Sequence, residues 1–162
     1  MSVQLLNFTT LNAQEKAMIL EWRNHPSVRA YMYNPNTITQ EEHLGFIEAL
    51  KKREDRRYFL VKKEDIDIGV IDFNSISEAS TKLGIYANPY LTQKGVGSVL
   101  LETLITYGFG VLKTHILEAE VFTDNKKAQH LYQKFGFVEK ARTNVNEKEV
   151  ICMELKNENR SR

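Results

Sequence analysis

A single cysteine, Cys152, stands among 162 residues, so no internal disulfide can form and no cysteine pair exists for a zinc knuckle. It sits in the apolar run Val150-Ile151-Cys152-Met153, which reads as a buried thiol rather than a nucleophile. The four histidines (His25, His43, His115 and His130) lack the H-E-x-x-H spacing, and no metal site is expected. An excess of charge of one sign is also missing. With 22 basic and 21 acidic side chains, the formal net charge is +1, too little for the long-range field that draws a protein to nucleic acid or to an anionic membrane. Only a local basic pocket is left open. No stretch reaches about 18 apolar residues, and the N-terminus lacks a charged start followed by an apolar segment. The expectation is a cytoplasmic chain with neither membrane nor nucleic acid as partner. With only three prolines and eight glycines, no linker, repeat or low-complexity tract divides the sequence.

What is present suits one globular unit. Apolar residues make up 42% and charged residues 27%, an ordinary soluble composition. A chain of this length buries about 68–70% of its unfolded surface, enough for one full core. One domain is expected over residues 1–155, followed by a polar tail over 156–162 that frays.

Periodicity and punctuation predict the elements. Val3–Phe8 reads as a strand and Gln14–Arg23 as a helix with Met18 and Trp22 on one face. Pro26 interrupts that helix, because the residue before a proline avoids helical geometry. A short helix or turn follows over Ser27–Met32. Thr39-Gln40-Glu41-Glu42 is a capping box that starts a helix with His43, Phe46, Ile47 and Leu50 on one stripe. Lys51–Arg57 reads as a solvated loop. Strands are predicted at Arg57–Lys62, Ile66–Phe73, Lys82–Ala87, Ile116–Phe122, Phe137–Arg142 and Lys148–Leu155. A helix opens at Val96 with a stripe of Val99, Leu100, Leu104, Tyr107 and Val111, and another spans Asn125–Phe135 and stops at Gly136. Consecutive strands imply antiparallel pairing, whereas the helix between the fourth and fifth strands demands a parallel crossover. The order therefore predicts an α+β fold, a mixed sheet with helices on its faces.

The most informative stretch is Leu91-Thr92-Gln93-Lys94-Gly95-Val96-Gly97-Ser98. A glycine-rich turn opening into a helix aims unpaired backbone N–H groups at the positive end of the helix dipole, which makes an anion site. Two glycines alone are a weak signal. Leu100 stands where a dinucleotide fingerprint needs a third glycine, and the G-x-x-x-x-G-K-[ST] loop is absent. The context is stronger. Pro89-Tyr90-Leu91, the glycine turn, a helix, a strand, then Asn125-x-x-Ala128-x-x-Leu131-Tyr132-x-x-x-Gly136-Phe137 resembles the GNAT (Gcn5-related N-acetyltransferase) superfamily.

That resemblance implies a mostly antiparallel seven-stranded sheet splayed between strands 4 and 5, with acetyl-CoA as co-substrate. The glycine turn would hold its pyrophosphate through Lys94, Gly95, Val96, Gly97 and Ser98. Thr92 and Gln93 fill the first places of the turn, so the long side chain that usually helps clasp phosphate is missing unless Gln93 substitutes. The pantetheine arm would lie in the splay against Ile85, Tyr86 and Ala87, with Asn125, Ala128 and Tyr132 on the following helix. Tyr132 would stand beside the cofactor sulfur, donating a proton or only a hydrogen bond to the departing thiolate; its other reading is one more member of an apolar stripe. Glu120 alternates onto the face opposite Leu117, Ala119 and Val121. It would be the base that takes the ammonium proton, or else a solvent-side glutamate.

The front third resembles the branch that includes ribosomal-protein N-terminal acetyltransferases. Arg23-Asn24-His25-Pro26, Met32-Tyr33, His43-x-x-Phe46-Ile47, Tyr58-Phe59-Leu60 and Gly69-Val70-Ile71-Asp72-Phe73 carry a narrower resemblance, from about Leu6 to Leu155, to the acetyltransferases of pseudaminic acid biosynthesis. This implies acetylation of the 4-amino group of a UDP-linked amino-dideoxy sugar. Arg23 and His43 would meet phosphate, and Met32, Tyr33 and Phe46 would line an apolar wall. Each has a plainer reading: Arg23 as a helix cap, His43 as a satisfied core histidine, Met32 and Phe46 as core. A protein N-terminal acetyltransferase, a non-catalytic acetyl-CoA-binding domain and a structural domain without a small ligand are the rival functions. The sequence leaves a homo-oligomer open.

Overall fold

A computed structural model describes residues 2–159. Strands β1 (Val3–Asn7), β2 (Arg57–Lys63), β3 (Ile66–Asn74), β4 (Ser80–Ala87), β5 (Ile116–Phe122), β6 (Val138–Val145) and β7 (Lys148–Lys156) form one seven-stranded sheet in the order β1-β2-β3-β4-β5-β7-β6. Helices α1 (Ala13–Asn24), α2 (Pro26–Arg29), α3 (Gln40–Leu50), α4 (Val96–Gly110) and α5 (Lys126–Lys134) join them. Every strand pair is antiparallel except β4–β5.

Local chemistry sets the ends of the elements. Asn12 caps α1 in a capping box with Glu15, a signal additional to those predicted, and Thr39 does the same for α3 with Glu42. His25 ends α1 and also caps α2, whose first residue is Pro26. The β2–β3 turn is Glu64-Asp65 and the β6–β7 turn is Asn146-Glu147, all four at positive φ, the two-residue geometry that matches strand twist. Gly136 takes φ 96° just beyond α5.

Alternation along β2 and β3 builds two cores. Phe59, Val61, Ile71 and Phe73 face α4 and α5, together with Leu100, Leu101 and Leu104. Leu60 and Val70 face the other way, onto Ile19 and Trp22 of α1 and Ile47 and Leu50 of α3. Helices thus cover both faces, and each fully buried large apolar side chain contributes roughly 1.5–3 kcal/mol. The buried stripe of α4 runs through Leu100, Leu101, Leu104, Ile105, Gly108 and Phe109. Val111, predicted to belong to it, is 58% exposed, because it lies past the end of the helix.

Two expectations at the edges change. Lys156 completes β7 rather than starting a tail, and residues 157–159 form a 3₁₀ turn tied by the Asn157 N–H to the His115 carbonyl at 3.0 Å. The remaining tail residues, 160–162, lie outside the described residues. Cys152 is half-buried rather than buried.

The β4–β5 junction positions the site. These strands pair only at Ser80, Thr81 and Lys82 with Ile116, Leu117 and Glu118. Beyond Lys82 they diverge, leaving residues 83–87 and 119–122 without each other as partners. The expected splay is present.

Candidate active site

Two cavities meet at this splay. The larger, about 720 Å³, is lined by Gly95, Gly97 and Ser98 from the start of α4, by Ile85, Tyr86 and Ala87 of β4, and by one face of α5. The smaller, about 420 Å³, is lined by Tyr58, Asp72 and Gly84 of the sheet, Glu120 of β5, Tyr132 of α5, and Arg23, Met32 and Tyr33 of the front segment. Met32, Ile85, Tyr86, Asn125 and Ala128 line both, so the two form one cleft.

The mouth of the larger cavity is an anion site by construction. Gly95 caps α4 at φ 88° and offers no side chain to the helix, and the first hydrogen bond of that helix runs from the Val99 N–H to the Gly95 carbonyl at 3.2 Å. The N–H groups of Val96, Gly97 and Ser98 therefore have no partner among the described residues. The Val96 side chain packs toward the main core, and Gln93 and Lys94 are exposed and do not line the cleft. What remains for Lys94 and Val96 is their backbone. Lys127 and Lys134 of α5 add positive charge at the same mouth, His130 lines it beside them, and Lys134 Nζ reaches Ser98 Oγ at 3.4 Å. Apolar periodicity picks out only Ala128, Leu131, Tyr132 and Phe135 along α5 and carries no signal for these polar residues. Asn125 spends its side-chain oxygen on the Ala128 N–H, capping α5.

Tyr132 lines the smaller cavity. Its ring packs on Phe137 at 5.3 Å between centroids, and the residue is 6% exposed. Its hydroxyl makes no hydrogen bond within the described residues and opens on the cleft. Burial first, and then the charge of Asp72, push its pKa upward.

Glu120 and Tyr33 come together from 87 residues apart. The Tyr33 hydroxyl donates to Glu120 Oε1 at 2.6 Å, and Lys82 Nζ lies 3.5 Å from Oε2. Burial, followed by this hydrogen bond, raises the Tyr33 pKa. The segment carrying Tyr33 is held from both sides. Arg23 Nη2 donates to the Asn34 carbonyl at 2.8 Å, Arg29 donates to the Pro35 carbonyl at 3.1 Å, and Asn146 of the β6–β7 turn donates to the Tyr33 carbonyl. Arg23 therefore lines the cleft, but its guanidinium also holds the loop. It does not cap its helix.

Two expected substrate residues are elsewhere. His43 is 4% exposed, and its Nε2 meets the Lys16 carbonyl at 2.9 Å, so it is a satisfied core histidine. Phe46 packs edge-on against Tyr58 at 4.9 Å in the second core. Neither lines the cleft. Both sit on the inward stripe of α3, which faces α1 and β2 rather than the opening.

Asp72 was not anticipated as a site residue. It stands on β3 opposite Gly84 of β4. A lone carboxylate in the apolar run from Ile68 to Phe73 is the available signal. Among the described residues, no group of three or more His, Cys, Asp or Glu side chains could hold a metal ion. No described helix is long and apolar enough to cross a membrane.

The family model for the acetyltransferase (GNAT) domain matches residues 6–138. The chain belongs to the GNAT acetyltransferase family. It is 45% identical over 135 residues to the acetyltransferase PseH of Campylobacter jejuni, covering 83% of this chain and 84% of that one. The crystal structure of the C. jejuni N-acetyltransferase PseH in complex with acetyl coenzyme A superposes with a TM-score of 0.80 at 36% identity, over 96% of this chain and 99% of that one. The Vibrio cholerae spermidine N-acetyltransferase crystallised with CoA and spermine shares the fold, with a TM-score of 0.86 at 22% identity over 97% and 96% of the two chains. The GNAT assignment agrees with the splay and with the glycine turn at the start of α4.

Proposed function

We propose that this chain is an acetyl-CoA-dependent N-acetyltransferase acting on the 4-amino group of a UDP-linked amino-dideoxy sugar, by direct attack of the amine on the thioester. The observation that carries the reading is the single cleft: a donor cavity beginning at the α4 N-terminus is continuous, through Met32, Ile85, Tyr86, Asn125 and Ala128, with an acceptor cavity that Tyr132 lines. The acceptor rests on the narrower sequence resemblance and on the 45% identity to PseH. The chain through Lys156, the last residue of β7, acts as one catalytic unit, in the cytoplasm.

In this reading the diphosphate of the donor meets the free N–H groups of residues 96–98, with Lys127 and Lys134 close by. The pantetheine arm enters the splay and pairs with backbone groups of residues 83–87 that β5 leaves free. The acetyl group then reaches Tyr132. A phenol has a reference pKa of about 10 against about 8.5 for a thiol, and burial widens that gap. Tyr132 therefore stabilises the leaving thiolate by donating a hydrogen bond, and full proton transfer is not its role. Met32 and Tyr33 wall the acceptor side, and Arg23 is the cation that lines it. Most of the acceleration comes from holding amine and thioester in contact.

The test is incubation with acetyl-CoA and the UDP-4-amino sugar, read by mass spectrometry. A gain of one acetyl on the sugar is expected. A gain on peptide α-amines instead would move the chain to the protein N-terminal acetyltransferases.

A further inference from the structure

We propose that Asp72, rather than Glu120, takes the proton from the acceptor's amino group. The inference rests on the acetyl-transfer reading above and concerns which carboxylate of the cleft is free to act. Glu120 has both oxygens engaged, Oε1 by the Tyr33 hydroxyl at 2.6 Å and Oε2 by Lys82 at 3.5 Å. Each partner occupies the oxygen that would have to accept the proton. Asp72 accepts one bond, from Asn74 Nδ2 to Oδ1 at 2.8 Å. Its Oδ2 has neither a hydrogen bond nor an ion pair among the described residues.

The setting suits proton transfer. Asp72 is half-buried, and its accessible side lines the cleft shared with Tyr132. It stands on β3, flanked by β2 and β4, so its backbone is held by ladders on both sides. Gly84 opposite leaves room for the carboxylate to lie over β4. The titratable and charged groups around it are Tyr58 of β2, Tyr86 of β4, Tyr132 of α5, Arg56 ahead of β2 and Arg23 of α1. None forms an ion pair with it. Burial raises its pKa to about 7, against the weaker opposing effects of Asn74 and Arg56. A base is most effective when its pKa lies near the working pH.

The step balances simply. The acceptor's ammonium gives one proton to Asp72, and the freed lone pair forms the C–N bond to the thioester carbonyl. Collapse of the tetrahedral intermediate breaks the C–S bond. The nitrogen sheds its second proton, the coenzyme A thiolate takes one up, and Asp72 returns its proton to solvent. The net products are the acetamide, coenzyme A thiol and one proton.

The experiment compares pH profiles of kcat/KM for the wild-type chain, Asp72→Asn and Glu120→Gln, with coenzyme A binding measured by calorimetry on each. The expected result is a loss of at least about 10²-fold in D72N at neutral pH, with coenzyme A affinity retained and the ionisation near pH 7 gone. E120Q keeps that ionisation, whatever its effect on KM. The proposal is overturned if D72N stays within threefold of wild type, or if E120Q is the variant that loses the limb. If D72N fails to bind coenzyme A, carbon-13 titration of Asp72 in the wild-type chain decides: its midpoint must match the kinetic limb, and a mismatch rejects the role. If the sugar is left untouched but peptide amines are acetylated, the substrate reading falls and the same comparison on those amines judges Asp72. Transfer to no amine at all overturns both.

Discussion

Asp72 and Gly84 face each other across β3 and β4 so closely that a Cβ on residue 84 would lie 2.5 Å from Asp72 Oδ2 and 2.7 Å from Oδ1. Any side chain there must displace the carboxylate, because both backbones are locked in the sheet. Gly84→Ala is therefore expected to lower kcat/KM by roughly 10–100-fold through misplacement of about an ångström. Overpacking costs about 1–3 kcal/mol of stability as well. The informative measurement is the double variant with D72N. Once the carboxylate is gone, G84A should cost little further activity; full additivity would show that Gly84 acts elsewhere.

Asp72 also makes stability depend on pH in an unusual direction. Burial lifts its carboxyl from 3.8 to about 7. Between those values the folded chain holds a proton that the unfolded chain has released, so this group's contribution falls as pH rises. The loss by pH 7.5 is on the order of 4 kcal/mol before solvent in the cleft reduces it. Urea midpoints at pH 4.5 and 7.5 should show the wild-type chain losing ground to D72N at the higher pH. An equal response in the two chains contradicts the burial of this carboxylate.

Tyr132→Phe separates chemistry from packing. The hydroxyl has no partner among the described residues, so its removal leaves no orphaned group there and should change the melting temperature little. The ring, with its contact to Phe137, is kept. Turnover should fall about 10²-fold, the usual effect of losing one donor to a developing anion. Unchanged turnover removes Tyr132 from the mechanism.

How much of this was legible in the sequence follows from which interactions are local. The β5 strand was read at its observed bounds because Leu117, Ala119 and Val121 alternate, and the Thr39 capping box lies within four residues. Gly136 after a helical stripe announces the left-handed cap found there, and Gly95 marks a turn whose left-handed φ the structure supplies. Partnerships across the fold carry no such signal. That Asp72 meets Gly84 depends on the β3–β4 register, and that Tyr33 meets Glu120 depends on how a loop folds over the far side of the sheet. His43 shows the same limit, since periodicity placed it on an inward stripe but could not say that Lys16 of another helix would supply its acceptor.

His43 gives a pH dependence of the opposite sign. Burial lowers its pKa below 6.5, outweighing the stabilising bond to the Lys16 carbonyl. As pH falls below 6.5 the unfolded chain binds a proton that the folded chain resists, so stability falls with it. His43→Gln keeps a donor for Lys16 and removes the titration. Denaturation at pH 5.0 and 7.5 should show a smaller acid loss in H43Q than in the wild-type chain, while acetyl transfer at neutral pH stays near wild type because His43 lies outside the cleft.

Gly95 and Gly97 should respond differently to alanine, although both belong to one turn. Gly95 has φ 88° and nothing within 4 Å of an added Cβ, so the cost there is backbone strain alone, about 1–2 kcal/mol. Relief of that strain re-aims the N–H groups of residues 96–98, and donor affinity should drop roughly tenfold. At Gly97 an added Cβ would lie 3.3 Å from Leu131 Cδ2, at the far end of a flexible side chain that can yield by a few tenths of an ångström. Alanine also has the better helix propensity, by about 1 kcal/mol. G97A should therefore keep its stability within about 1 kcal/mol of wild type and bind coenzyme A more tightly than G95A. Calorimetry on the two variants checks this. The reverse ranking would mean that the α4–α5 contact, and not the left-handed turn, shapes the anion site.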